Sequence, residues 1–226
     1  MNYYNENDPY PAQWLRNLMA AGLIPKGDVD ERSIRDVRPA DLAGYGQCHF
    51  FAGIAGWPLA LKLAGWSDDR PVWTGSCPCQ HLSTAARGRN TAPDLWPVWK
   101  ALIVASRPRI VIGEQVANER SWLDRLCNDL ESLGYAIGAA VLPAVSVGKD
   151  HIRNRIYFVG HANGNREPSF SFNGKMERLP QHRSDGADLV QSNGISAPVA
   201  IMRALGSAIV PQVAAEFIKA VMDCEP

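Results

Sequence analysis

No stretch of this chain stays apolar for long. Its longest runs, Ala101–Ala105 and Ile110–Ile112, fall far short of the roughly 20 residues that a membrane-spanning helix needs, so no membrane partner is expected. The opening residues, MNYYNENDPY, lack the basic stretch and the apolar core of a secretory signal. Net charge is missing as well. Lys and Arg total 23, as do Asp and Glu, so bulk electrostatics announces no nucleic-acid partner. Cysteines are few, five and irregularly spaced (Cys48, Cys77, Cys79, Cys127 and Cys224). That suits reduced intracellular thiols and excludes a disulfide framework. No internal repeat is present. A soluble, cytoplasmic chain is expected.

What is present is ordinary globular composition. At 46% hydrophobic and 20% charged residues, the chain is neither disordered nor collagen-like. Its 226 residues make one large domain, or one domain with a small appendage. Charge is distributed unevenly. Residues 147–183 hold seven Lys/Arg against three Asp/Glu, whereas residues 1–41 hold five against seven. A phosphate-facing surface therefore belongs in the third quarter of the chain.

Asp8 before Pro9 predicts a helix start, with apolar residues at Trp14, Leu15, Leu18 and Met19 and a closing Gly22. A buried strand is expected over 47–51, then a glycine turn and a helix over 58–64. A second strand is expected over 71–74, a helix over 94–106 and a strand over 109–112. A helix over 119–133, strands over 137–142 and 155–159, and a helix over 211–222 complete the pattern. Alternating strands and helices predict an α/β fold with a doubly wound, mostly parallel sheet. Residues 161 to about 198 dissolve into Asn, Gly, Ser, Pro and Arg, a loop or a substrate-facing appendage.

Ligands in such sheets sit at the carboxyl ends of strands, and three candidates fall there. The turn Gly53-Ile54-Ala55-Gly56 allows close approach to a helix N-terminus, or simply a tight turn. Cys77-Pro78-Cys79-Gln80 places thiols at a strand exit. These are nucleophiles if their pKa is lowered, small buried hydrophobes, or, with His81, soft donors to zinc. No matching second ligand pair exists, so no metal is assigned. Glu114 follows an apolar strand, either as an acid at a pocket mouth or as a carboxylate at a helix start.

Taken together and in order, these pieces resemble the cytosine-5 DNA methyltransferase family. The matching segments are Phe51-Ala52-Gly53-Ile54-Ala55-Gly56, Pro78-Cys79-Gln80, Glu114-Gln115-Val116, His151-Ile152-Arg153-Asn154-Arg155 and Leu205-Gly206-Ser207-Ala208-Ile209-Val210. Tyr3 to Pro9 resembles the family's second motif, and Arg32 to Val37 with Asp41-Leu42 its third. In the family these follow the glycine turn; here they precede it, which implies a rearranged order. The other reading of residues 1–45 is an unrelated cap.

The resemblance implies a Rossmann-like methyltransferase domain over 1–160 and 196–226, with S-adenosylmethionine as cofactor. Cys79 is then the nucleophile toward carbon 6 of a cytosine flipped out of double-stranded DNA. Glu114 acts on ring nitrogen 3, and Arg153 and Arg155 hold the base carbonyl and a nearby phosphate or the glutamate. Phe51, Ala52, Gly53, Ile54, Gly56, Pro78 and Ser207 would line the cofactor, with Glu6 on its ribose hydroxyls. DNA contacts are expected from Gln80, Ser83, Arg87, Arg89, His151, Lys175, Arg178 and Arg183. Residues 161–195 would form a minimal target-recognition segment with short or relaxed specificity.

The sequence departs from the family at Ala55, where a glycine is usual, at His81-Leu82, at Asp150-His151 and at Ser207. These departures leave two other readings open: a weakened relative that binds DNA or cofactor, and transfer of another group or to RNA or nucleotides. A nucleoid-associated role in a prokaryotic or phage-infected cell, in restriction-modification for example, is expected, with no obligatory protein partner.

Overall fold

A computed structural model describes residues 1–78, 93–117, 120–148, 153–162 and 208–224. Seven strands form one sheet: β1 (Asn2–Asn5), β2 (Gly27–Asp30), β3 (Gln47–Phe50), β4 (Val72–Gly75), β5 (Ile110–Val116), β6 (Ala136–Pro143) and β7 (Asn154–His161). Among the described residues five α-helices accompany them: α1 (Pro9–Ala20), α2 (Gly56–Ala64), α3 (Trp96–Ser106), α4 (Arg120–Glu131) and α5 (Pro211–Asp223). Among the described residues no helix is long and apolar enough to cross a membrane.

The strand order is β2-β1-β3-β4-β5-β7-β6. The first five strands are parallel, and β7 runs antiparallel to both β5 and β6. This is the mostly parallel, doubly wound α/β sheet that the alternation predicts. Residues 1–30 are part of it: β1 pairs with β3 from Asn2↔Gln47 to Asn5↔Phe50.

Local sequence explains the element ends. The Asp8 carboxylate accepts from Tyr10 N–H at 3.0 Å, and Pro9 opens α1. Gly22, just past the helix, takes φ +69°, the left-handed conformation that closes helices. Gly65 closes α2 the same way at φ +80°. Trp14, expected on the apolar face of α1, is exposed; Ala12 and Leu15 are the buried contacts.

Each face of the sheet carries its own core. Tyr4, His49, Thr74, Ile112 and Val159 follow one another across neighbouring strands and share one face. There α1 packs on Tyr4, and α2 and α5 pack on Ile112 and Val159 through Trp57, Leu61, Val213 and Ile218. On the other face Phe50, Trp73, Val111 and Phe158 meet α3 (Trp96, Trp99) and α4 (Trp122, Leu126, Leu130). The i, i+4, i+8 spacing on α4 is a helix burying one stripe.

One connection breaks the usual rule. β1→α1→β2 steps one strand outward, β3→α2→β4 steps the opposite way, and both helices lie on the same face. The two crossovers therefore have opposite hands. β4→α3→β5 crosses the other face in the direction of β3→α2→β4, which gives it the hand of β1→α1→β2. Parallel crossovers are right-handed in about 98% of cases. The α2 connection is thus the left-handed one.

Packing over the sheet leaves no room at Gly113. An added Cβ would lie 2.2 Å from the Phe158 ring and 2.9 Å from the Gly75 carbonyl oxygen. The carbonyl belongs to a paired strand and cannot retreat. Gly113→Ala is expected to lower the unfolding free energy by about 1–3 kcal/mol, the usual range for overpacking, read from denaturant midpoints at unchanged slope.

Candidate active site

Parallel pairing brings the carboxyl ends of β1, β3, β4 and β5 to one edge of the sheet. Because β7 is antiparallel, its start comes to the same edge. Glu6, the turn 51–55, Ser76 to Pro78, Glu114, and Arg153 with Arg155 thereby converge from five parts of the sequence.

On one side, the Glu6 carboxylate accepts from Gly53 N–H at 2.8 Å and from Asp8 N–H at 2.9 Å. Ala52 N–H donates to the Asn5 carbonyl at 3.0 Å. Asn5 Nδ2 donates to the carbonyls of Asp30 and Arg32, at 3.2 and 2.9 Å, and so ties the end of β1 to the exit of β2. Beyond it, the Arg32 guanidinium bridges Asp30 and Asp41 at 2.6 and 2.9 Å. Burial pushes the Glu6 carboxyl above its usual range, and the two N–H donors only partly oppose it. A carboxylate has about four acceptor positions, so those left over after two backbone contacts fit a vicinal diol such as a ribose.

The turn itself holds three positive φ values, +53° at Phe51, +53° at Gly53 and +71° at Ala55. For Ala55 the left-handed conformation costs about 1–2 kcal/mol. Its side chain is buried with Tyr4, Leu15, Ile24 and Ala52, and burial of one methyl returns about 0.8 kcal/mol. Phe51 is half-buried, edge-on to Trp99 at 6.2 Å and 89°. Ala52 is buried, so only its backbone faces the turn. Ile54 and Gly56, with Arg153 and residues 208–211, line a cavity of about 300 Å³.

The other side is built around Glu114. The sequence pattern ends this strand at 112, but β5 runs to Val116, and Glu114 pairs with Tyr157 of β7 inside the sheet. It is therefore not a helix-start carboxylate; α4 begins at Arg120. Its carboxylate is 6% exposed and takes Arg155 Nε at 2.7 Å. Burial raises its pKa; Arg155, then Arg153 and a hydrogen bond from Ser76, pull in the opposite direction without cancelling the rise. Ser76 also accepts from Trp57 Nε1 at 3.1 Å. Arg153, expected beside the base, donates to the Ala208 carbonyl at 3.0 Å.

Three contributing residues carry no role in the sequence pattern. Ser76 and Trp57 form a relay from the first turn of α2 to Glu114. Gln115, buried, donates to the Cys77 carbonyl at 3.4 Å and links β5 to the exit of β4. Cys77 is buried and its thiol is pushed well above the usual range, by burial and then by the Asp94 charge, against the opposing Arg125. That disfavours thiolate there. Pro78 is half-buried at the exit of β4. Cys79, His81, Ser207 and all eight expected DNA contacts (Gln80, Ser83, Arg87, Arg89, His151, Lys175, Arg178 and Arg183) lie outside the described residues.

A doubly wound α/β protein with an acid–glycine-turn clasp and a buried glutamate paired with an arginine at the carboxyl edge of its sheet is thus defined. The chain belongs to the C-5 cytosine-specific DNA methylase family, whose profile matches residues 67–202. The cofactor of that family is S-adenosylmethionine, and the Glu6 clasp suits its ribose. A stretch of 103 residues is 30% identical to the type II methyltransferase M1.HphI of Haemophilus parahaemolyticus, and covers 41% of this chain and 28% of that enzyme. Among solved structures, a DNMT2 mutant from Spodoptera frugiperda aligns with TM-score 0.48 and 14% identity over 79% of this chain and 47% of that one. The Dnmt2 methyltransferase of S. pombe gives TM-score 0.40 and 14% identity over 74% and 52%. The chain spans about half the length of these structures.

Glu114 makes a specific pH signature. Between the ordinary carboxyl pKa and its raised native value, the folded chain holds a proton that the unfolded chain has released. This contribution to stability is complete below the ordinary range and is lost as pH rises through the raised value. Glu114→Gln removes it. The unfolding free energy of the variant relative to the parent is therefore expected to climb from mildly acid to neutral pH; a flat difference shows that Glu114 titrates normally.

Proposed function

We propose that this protein methylates carbon 5 of cytosine in DNA through a covalent adduct between Cys79 and carbon 6 of a flipped base. The observation that carries the reading is Glu114, buried on the strand next to the one whose exit leads to Cys79, with Arg155 Nε 2.7 Å from its carboxylate. A thiolate adding at carbon 6 pushes electron density onto carbon 5 and nitrogen 3. A carboxyl held above its usual pKa by burial can give nitrogen 3 its proton in that step, and Arg155 fixes the carboxyl's orientation. Carbon 5 would then take the methyl group as its bond to the donor sulfonium sulfur breaks to leave a thioether; a water would take the carbon 5 proton, the carbon–sulfur bond to Cys79 would break to restore the ring double bond and return the thiolate, and nitrogen 3 would give its proton back to Glu114. The cofactor, when bound, supplies an electrophilic methyl. Carbon 6 is hidden inside a duplex, so the base has to leave the stack.

Glu6 and the turn after β3 are the cofactor-holding elements in this reading. Their contact at 2.8 Å supports the view that residues 1–45 are cofactor segments moved ahead of their usual place. Residues 161–195 serve target recognition, mainly through phosphates.

Three measurements test this. Base-resolution methylation sequencing of DNA from expressing cells should find modified cytosines in a short context, absent with Cys79→Ser. Covalent trapping should occur on 5-fluorocytosine DNA; trapping on 5-fluorocytosine RNA alone moves the substrate to RNA, and cofactor binding without trapping marks a binding-only relative. Glu6→Ala should weaken cofactor binding by about tenfold or more, the worth of one or two hydrogen bonds to a charged group; an unchanged dissociation constant returns residues 1–45 to a cap.

A further inference from the structure

Arg153 and Arg155 stand two residues apart, yet the fold gives them different partners. Arg155 Nε lies 2.7 Å from the Glu114 carboxylate. Arg153 reaches away from the strand and donates to the Ala208 carbonyl at 3.0 Å, across 55 residues of sequence. Ala208 starts the short run that leads into α5 at Pro211. The next residue, Ile209, is 7% exposed and fills the place of a side chain at Gly56, where an added Cβ would lie 2.6 Å from its Cγ1. Arg153, Ile54, Gly56 and residues 208–211 line the open cavity of about 300 Å³ beside the glycine turn. One wall of that cavity is the turn itself. The other is the run 208–211, held by the packing of Ile209 on Gly56 and by the guanidinium of Arg153.

We infer that Arg153 is a positioning residue for the cofactor side of the site: it clasps residues 208–211 against the glycine turn, while Arg155 pairs directly with the Glu114 carboxylate. The pair divides its labour between the two halves of the reaction. Arg153 acts through the wall it holds. This rests on the cofactor assignment above, so its test includes a readout that does not require cofactor.

The variants are Arg153→Met, Arg153→Lys and Arg155→Met. Affinity for S-adenosylhomocysteine is measured by calorimetry, and hydrogen exchange is followed at the amides of residues 209–214 in the free protein. Arg153→Met should raise the dissociation constant about tenfold or more, the worth of one charge-assisted hydrogen bond, and speed exchange over 209–214. Arg153→Lys, which keeps a donor, should recover part of both. Arg155→Met should leave exchange over 209–214 as in the parent. The inference is overturned if Arg153→Met binds S-adenosylhomocysteine like the parent, or if its exchange over 209–214 is unchanged. If the parent itself fails to bind S-adenosylhomocysteine, the functional reading falls, and the exchange experiment still decides whether Arg153 holds this segment.

Discussion

The backbone pairing of β1 with β3 sets the site. Its register, Asn2↔Gln47 through Asn5↔Phe50, delivers Glu6 to the turn that follows Phe50. A slip of one residue would shift Glu6 by about 3.3 Å and turn its side chain to the other face, out of reach of Gly53 N–H. Asn5, inside the same strand, fixes the exit of β2 with two further hydrogen bonds. Three loops distant in sequence thus take their positions from four residues of strand.

Glu114 shows the opposite economy. A carboxylate removed from water is costly, and an ion pair with Arg155 recovers only part of that cost. An apolar pair would serve stability at least as well. What the burial yields is a carboxyl whose proton affinity is raised, flanked by a guanidinium and the Ser76 hydroxyl that keep it oriented. Such a group suits proton transfer to a ring nitrogen better than it suits structural support.

Much of this was legible in the residues. Asp8-Pro9, Gly65 and the apolar spacing of α4 and α5 announced themselves, and the order of the glycine turn, Cys79, Glu114 and the arginines pointed to the family. β1 and β2 were not legible: each has four residues, and Gly27-Asp28-Val29-Asp30 carries charge where strands usually alternate. They exist because β3 offers β1 an edge. β5 was read four residues short because Gly113-Glu114-Gln115 looks like a turn; antiparallel pairing with β7 keeps it extended. Ser76 and Trp57 could not be found by pattern, since their relay exists only once α2 lies over β4.

The reversed hand of the α2 crossover bears on how the molecule comes into being. A right-handed strand–helix–strand unit follows the twist of its own strands and can form early, from neighbouring residues alone. The β3–α2–β4 unit works against that twist. What keeps α2 on its face is Trp57 and Leu61 against Val213 and Ile218 of α5, some 150 residues further along the chain. Contacts this distant close slowly and late. During synthesis the glycine turn would leave the ribosome long before the helix that holds it in place, and the cofactor half of the site would mature only once α5 has docked.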